Sequence, residues 1–358
     1  PILSRLIFGL LVIICIIIVG LLTTFSDSAT NNRLRQNIIE KPSTKTLTTT
    51  TRSANNLRKS RIALSNKVFN LQKNSSLPTE LTGNNMISRS MPSIMYGTAW
   101  KKERTQELVE LAVRCGFRGI DTACQPKHYF EPGVGAALDH LYSEKVISRE
   151  DIFLQTKFTS LDGQDPNNIP YDSNAELSDQ VRQSFQKSLK NLRTTYLDSL
   201  VMHSPMRSLK DTLQVWKVFE EFYKAGLVKR LGLSNTYDLN TLRAVYEAAE
   251  IKPTVLQNRF YAQSGYDVPI REFCRNNGIQ YQSFWTLTAN PSIISSDTVK
   301  LLAVKYNKTS QQIFYRFVQL LDIVPLSGTK SSQHMLEDLQ VDSIPMLPEE
   351  VAAIQLLL

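Results

Sequence analysis

The chain has 358 residues, of which 42% are hydrophobic, 21% charged and 9% aromatic, close enough to globular averages to exclude a collagen-like or wholly disordered polypeptide. Four cysteines without a CxxC spacing exclude a disulfide scaffold and a zinc ribbon. The formal charge of +8 is concentrated in residues 26–92, where 11 Lys/Arg meet 3 Asp/Glu; the remainder is close to neutral, so no nucleic-acid partner is expected.

In chain order, Ile7 to Phe25 carries no charged side chain. At ~1.5 Å per residue such a run crosses roughly one hydrocarbon core. A transmembrane signal anchor over 1–25 is predicted, with a cleaved signal peptide ending near Ser26–Ala29 as the alternative. The implied protein is single-pass and held at a membrane by this helix, with its domain on either the cytosolic or the secretory side. The sequons at Asn74 and Asn307 would matter only on the secretory side. Residues 26–65 form a low-complexity basic stalk (KPSTKTLTTTTRS) that cannot bury enough surface to order itself. Sparse apolar residues return over 66–92, where a short helix or hairpin is expected to cap the following domain.

From 93 to 358 short β-rich runs alternate with amphipathic helical stretches. The runs are 93–98, 117–123, 152–158, 199–204, 229–235, 254–260, 279–285 and 322–328. Helices are predicted over 104–116, 175–193, 209–226 and 239–250. In the last, Leu242, Val245, Tyr246 and Ala249 recur at the spacing of one buried face. Gly116 and Gly226 stand where helix C-caps belong. Eight strands alternating with helices, without a GxGxxG turn, predict one α/β domain, a (β/α)8 TIM barrel, rather than an open dinucleotide-binding sheet.

Active sites of such barrels gather at the C-terminal strand ends. Here those ends carry Asp121, Lys157, His203, Ser234–Asn235, Gln257, Phe284–Trp285 and Ser327–Gly328–Thr329, with Tyr129 in the loop after the second strand. A lysine near a phenol favours its ionisation, an aspartate holds that lysine, and a neutral imidazole aligns a carbonyl oxygen. That set suits protonating an oxygen while a nicotinamide cofactor supplies hydride, because no side chain can. Each residue also has a plainer reading: His203 as a satisfied core residue, Lys157–Asp121 as a structural ion pair, Tyr129 as packing. A barrel lysine such as Lys157 can also act as a Schiff-base nucleophile in a lyase.

The segments GTAWK (97–101), GFRGIDTACQPKHYFEPGVGAAL (116–138), LQTKF (154–158), YLDSLVMHSP (196–205), LVKRLGLSN (227–235), KPTVLQN (252–258) and VPLSGTKSSQHMLEDL (324–339) together resemble the aldo-keto reductases. The resemblance implies NADPH-dependent reduction of aldehydes or ketones by a monomer, with NADH also admitted. Tyr129 would be the general acid, Lys157 and Asp121 would tune it, and His203 would orient the carbonyl. Ser234, Asn235 and Gln257 would hold the nicotinamide carboxamide, with Phe284 stacking on the ring and Leu287 beside it. Ser327, Gly328, Thr329, Lys330, Ser331, His334 and Asp338 would take the adenosine phosphate end, and Trp100 and Trp285 would wall the small-molecule substrate. A cofactor-binding regulatory module without turnover is the second class that the resemblance admits. The Asp121-to-Tyr129 loop is longer than the usual family spacing, which leaves His128 as a rival to Tyr129. Phe284 stands where tyrosine is usual, His334 where arginine is frequent, and Asp338 where asparagine is usual.

Overall fold

The computed structural model describes residues 91–358; the predicted anchor, the stalk and nearly all of the expected capping segment lie outside these residues. Eight parallel strands close into a barrel in chain order: β1 Met95–Gly97, β2 Gly119–Asp121, β3 Phe153–Phe158, β4 Ser199–Met202, β5 Leu231–Ser234, β6 Val255–Arg259, β7 Gln280–Phe284 and β8 Ile323–Ser327. The helices are α1 Thr105–Cys115, α2 Glu131–Ser143, α3 Leu177–Leu192, α4 Leu209–Lys224, α5 Leu239–Ala248, α6 Val268–Asn276, α7 Pro291–Ile294, α8 Asp297–Tyr306, α9 Ser310–Leu320, α10 Ser332–Asp338 and α11 Pro348–Gln355. The predicted barrel is therefore observed, and every predicted strand run contains one of its strands.

The helices form where apolar side chains return every three or four residues. α1 buries Leu108, Val109, Ala112 and Val113, and Gly116 ends it at φ 125°, a conformation that glycine adopts freely. Ser208 caps α4 by accepting from Asp211 N–H, and Asp238 caps α5 by accepting from the N–H groups of Asn240 and Thr241. α5 buries Leu242 and Val245 as its spacing predicts, whereas Tyr246 is only half-buried.

Alternation along β3 decides what the barrel holds. Phe153, Gln155 and Lys157 share one face because successive strand side chains point to opposite sides. Phe153 joins Met95, Val324 and Leu326 in a small apolar cluster separate from the main core. Above this floor Gln155 and Gln282 exchange side-chain hydrogen bonds at 2.7 and 3.1 Å, and Gln257 donates to Gln282 at 2.8 Å. Leu154 and Phe158, on the opposite face, belong to the main core against the helices.

α2 begins at Glu131, whose buried carboxylate accepts from Thr156 Oγ1 on β3 (2.6 Å) and from Ser188 Oγ and Asn191 Nδ2 on α3 (2.8 and 3.1 Å). One turn along, α2 passes so close to α3 that a Cβ on Gly135 would stand 2.1 Å from the Asn191 carbonyl oxygen. Glycine is required there for a close approach of backbones.

Candidate active site

A cavity of about 820 Å³ opens at the C-terminal ends of the strands, within the size range of small-molecule sites. All the residues singled out from the sequence line it except Lys157 and Ser331. Lys157 lies sealed in the barrel interior, and Ser331 caps α10 by accepting from His334 N–H at 3.4 Å. His128, Gln125, Arg259, Tyr315 and Glu337 also line the cavity.

The Asp121–Lys157 pair is buried, with side-chain exposures of 3% and 0%, although Asp121 lines the cavity. Lys157 Nζ donates to Asp121 Oδ1 and Oδ2 at 2.7 and 2.6 Å and to the Thr122 carbonyl at 2.9 Å. An ammonium has three donors, and these three acceptors engage all of them. Burial pushes the amine down, while Asp121 pulls it back toward its ordinary value. So enclosed an amine cannot reach a substrate, which removes the Schiff-base reading. Asp121 Oδ1 also accepts from Gln155 Nε2 at 2.8 Å and Gln257 Nε2 at 3.0 Å, so the pair rests on the glutamine layer beneath it.

The Tyr129 ring lies over this pair, its centre 5.3 Å from Lys157 Nζ. It meets His203 edge-on at 5.9 Å between ring centres. Among the described residues its hydroxyl meets no hydrogen-bonding protein group and faces the cavity. The sequence suggested a phenol made more acidic by Lys157; instead its pKa is raised, first by burial and then by the Asp121 charge. Lys157 brings its counter-ion with it, so the phenol meets a nearly neutral pair. This tyrosine holds its proton until something nearby gains negative charge.

His203 follows β4 directly, its N–H donating to the Phe158 carbonyl at 2.9 Å. Its Nδ1 pairs with Thr159 Oγ1 at 2.7 Å, which leaves Nε2 as the other ring nitrogen. Burial, then the Lys157 charge, lowers its pKa to about 3. The imidazole is therefore neutral at physiological pH and able to hydrogen-bond an uncharged oxygen.

The long loop before Tyr129 owes its shape to Gln125, which the sequence did not single out. Its Nε2 donates to the Gly163 carbonyl at 2.6 Å, its Oε1 pairs with His128 Nδ1 at 2.9 Å, and its carbonyl accepts from Tyr129 N–H at 3.0 Å. His128 instead packs on Trp100, 4.0 Å between ring centres, and its pKa is lowered by burial and by Lys127. Trp100 and Trp285 flank the cavity, both with φ in the left-handed region (62° and 55°).

On the β5–β7 side, Ser234 Oγ donates to the Gln257 carbonyl at 2.6 Å and Asn235 Nδ2 to the His203 carbonyl at 2.9 Å. Gln257 lies inside β6 rather than at its end, and its amide nitrogen is committed to Asp121 and Gln282. Its Oε1 has no protein donor among the described residues. That open acceptor and the Phe284 ring line the same cavity, a combination that fits a planar carboxamide-bearing heterocycle.

Cations mark the β1–β8 side. Lys330 lines the cavity, and the buried Lys101, seen in the sequence only as part of GTAWK, donates to the Gly328 carbonyl at 3.0 Å. Burial, with Lys330 nearby, lowers Lys101 to about 8. Against these stands Asp338, which accepts from Ser327 Oγ at 2.6 Å and is raised to about 6, mainly by burial. A second cavity of about 740 Å³ adjoins the first through Gln125, His203 and Asn235. Its polar wall includes Thr159, Asp162, Arg207 and Asp211.

Comparison with known proteins agrees with this geometry. The model of the Aldo/keto reductase family matches residues 93–358. Glyoxal reductase of Bacillus subtilis (strain 168) is 27% identical over 252 residues, covering 70% of this chain and 82% of its own. The NAD(P)H-dependent 6'-deoxychalcone synthase of Glycine max is 29% identical over 283 residues, covering 71% and 83%. Among solved structures, MGS-M4, an aldo-keto reductase enzyme from a Medee basin deep-sea metagenome library, superposes with a TM-score of 0.63 at 26% identity, covering 74% of this chain and 91% of that one.

Proposed function

Because the chain belongs to the aldo/keto reductase family, we propose that it reduces the carbonyl group of a small molecule to an alcohol with NADPH, Tyr129 serving as proton donor. One observation carries the reading: a phenol hydroxyl free of protein partners faces the same cavity as the neutral His203, above the buried Lys157–Asp121 pair. The NAD(P)H-dependent soybean relative supports the choice of cofactor class.

The residues present suit the cofactor. Gln257 Oε1 and the Ser234 and Asn235 side chains offer hydrogen bonds to a carboxamide, and Phe284 offers a π face. Lys330, Thr329 and His334 would receive the phosphate of the adenosine end. Bound there, NADPH would supply a hydride to the carbonyl carbon. Tyr129 and His203 Nε2 would both hydrogen-bond the carbonyl oxygen. As that oxygen gains charge, Tyr129 would give up its phenolic proton to it. Lys157 would stabilise the phenolate left behind, a benefit that arises only once the proton has gone. Trp100 and Trp285 would screen the reacting atoms from bulk water.

The test is a titration with NADPH and NADH, read by protein fluorescence, followed by turnover of a panel of aldehydes and ketones. Saturable NADPH binding with oxidation of the cofactor by at least one carbonyl is the expected result. Tight binding without turnover across the panel would make the protein a cofactor-binding regulatory module instead.

A further inference from the structure

Arg259 is the last residue of β6, in register with Phe284 at the end of β7. It lies two residues beyond Gln257 on the same strand face, one step nearer the mouth. Its N–H donates to the Tyr237 hydroxyl at 3.1 Å. Its guanidinium lies 4.2 Å from the Trp285 ring centre, with the Tyr261 and Phe284 rings at 5.1 and 5.9 Å. Three aromatic faces thus fix this cation at the cavity wall.

What is missing is an acceptor. Among the described residues no carboxylate lies within ion-pair distance of Arg259, and its Nε is buried without a hydrogen-bond partner. Other enclosed arginines of this protein are provided for. Arg149 meets Asp198 at 2.9 Å together with the Tyr196 and Ile152 carbonyls, and Arg271 Nε donates to the Tyr266 carbonyl at 2.8 Å. Leaving a guanidinium donor buried and unmet is costly, and aromatic contact compensates the charge without satisfying its N–H groups. A planar fork of donors matches the oxygens of a carboxylate or phosphate.

We propose that Arg259 is an anion-binding residue, taking the oxygens of a carboxylate or phosphate on a ligand that lies across Trp285. Two ligands of the reductase reading, on which the proposal rests for the ligand's identity, can bring that group: the dinucleotide through its phosphates, or the carbonyl substrate through an acid function.

Arg259→Met keeps the apolar stem on the rings and removes the fork, and Arg259→Lys restores a charge without it. Calorimetry on the full chain measures NADPH affinity, and then benzoate and benzamide affinity with NADP+ saturating. Kinetics compares 4-carboxybenzaldehyde with 4-methylbenzaldehyde. Arg259→Met is expected to weaken one anion at least tenfold, with Arg259→Lys between it and the wild type. If the loss falls on NADPH, the phosphates are the partner; if it falls on benzoate and the carboxylated aldehyde alone, the substrate acid is. The proposal is overturned if NADPH and benzoate both bind within twofold of wild type, if benzamide weakens as much as benzoate, or if benzoate shows no binding while NADPH is unaffected. Should the wild type turn over no aldehyde, the reductase reading fails, and the calorimetry still decides the role of Arg259.

Discussion

Lys157 Nζ reaches both oxygens of Asp121, at 2.7 and 2.6 Å, with the amine wholly enclosed and the carboxylate almost so. Removing either partner strands the other's charge, which costs about 3–5 kcal/mol. Lys157→Met and Asp121→Asn are each expected to lose about that much in chemical denaturation of the full chain. The double variant should lose less than the sum, since neither charge then remains. Strict additivity of the two losses would mean that the pair is not coupled as the distances indicate.

Tyr129→Phe keeps the ring on the ammonium and deletes the hydroxyl that faces the cavity. Positioned proton donors contribute roughly 10²–10⁴-fold, so kcat should fall within that range while the NADPH dissociation constant stays within about twofold. Retained turnover would pass the role to His128, the nearest imidazole along the chain.

The pH profile of kcat should be flat between pH 5 and 9. His203 is held near 3 by burial and the Lys157 charge, so it remains neutral throughout. The Tyr129 phenol is pushed up and keeps its proton. An inflection of unit slope near pH 6.5, lost in His203→Asn, would show that the imidazole takes up a proton in the working enzyme.

Asp338 carries the opposite sign from a salt-bridged carboxylate. Raised from 3.8 to about 6, it binds its proton more tightly folded than unfolded, so its stabilising contribution is complete below pH 3.8 and is lost as pH rises through 6. Asp338→Asn should stabilise the protein at pH 7.5, by on the order of 3 kcal/mol at most given ~1.4 kcal/mol per pKa unit, and not at pH 3.5. It should also tighten NADPH binding at pH 8 more than at pH 5. Melting temperatures and calorimetric affinities at these pH values check both halves.

Gly135→Ala would drive a methyl group to 2.1 Å from the Asn191 carbonyl oxygen and 2.9 Å from the Leu192 backbone. Neither neighbour is a flexible side-chain tip, so α2 and α3 must separate. Overpacking of this kind costs typically ~1–3 kcal/mol, and a fall in melting temperature with little change in NADPH affinity is expected. Because Glu131, four residues earlier, ties the same two helices together near Tyr129, a loss of kcat should accompany it.

Much of this was legible in the sequence because a barrel strand is an apolar run, and a polar residue closing such a run stands out. Asp121, His203, Ser234 and Ser327 announce themselves in that way. Gln155 and Gln282 do not, since they alternate with outward residues inside the strands, and period-two spacing alone cannot tell a buried amide from a solvated one. Arg259 reads as an ordinary strand residue because nothing in its neighbours along the chain predicts three rings converging on it. The direction of the Tyr129 shift is not legible for an energetic reason: the sequence suggests proximity to Lys157, but the effect of Asp121 and the enclosure of the ring depend on tertiary packing.

Trp100 and Trp285 carry one more consequence. Both hold a bulky side chain at positive φ, a backbone choice that costs L-residues about 1–2 kcal/mol apiece. The mouth of the barrel is thus wound like a spring, held by the scaffold beneath it. Exchanging either indole for glycine would relieve that backbone cost but also remove the ring that His128 or Arg259 packs against, so the rim would slacken where the substrate is expected to sit.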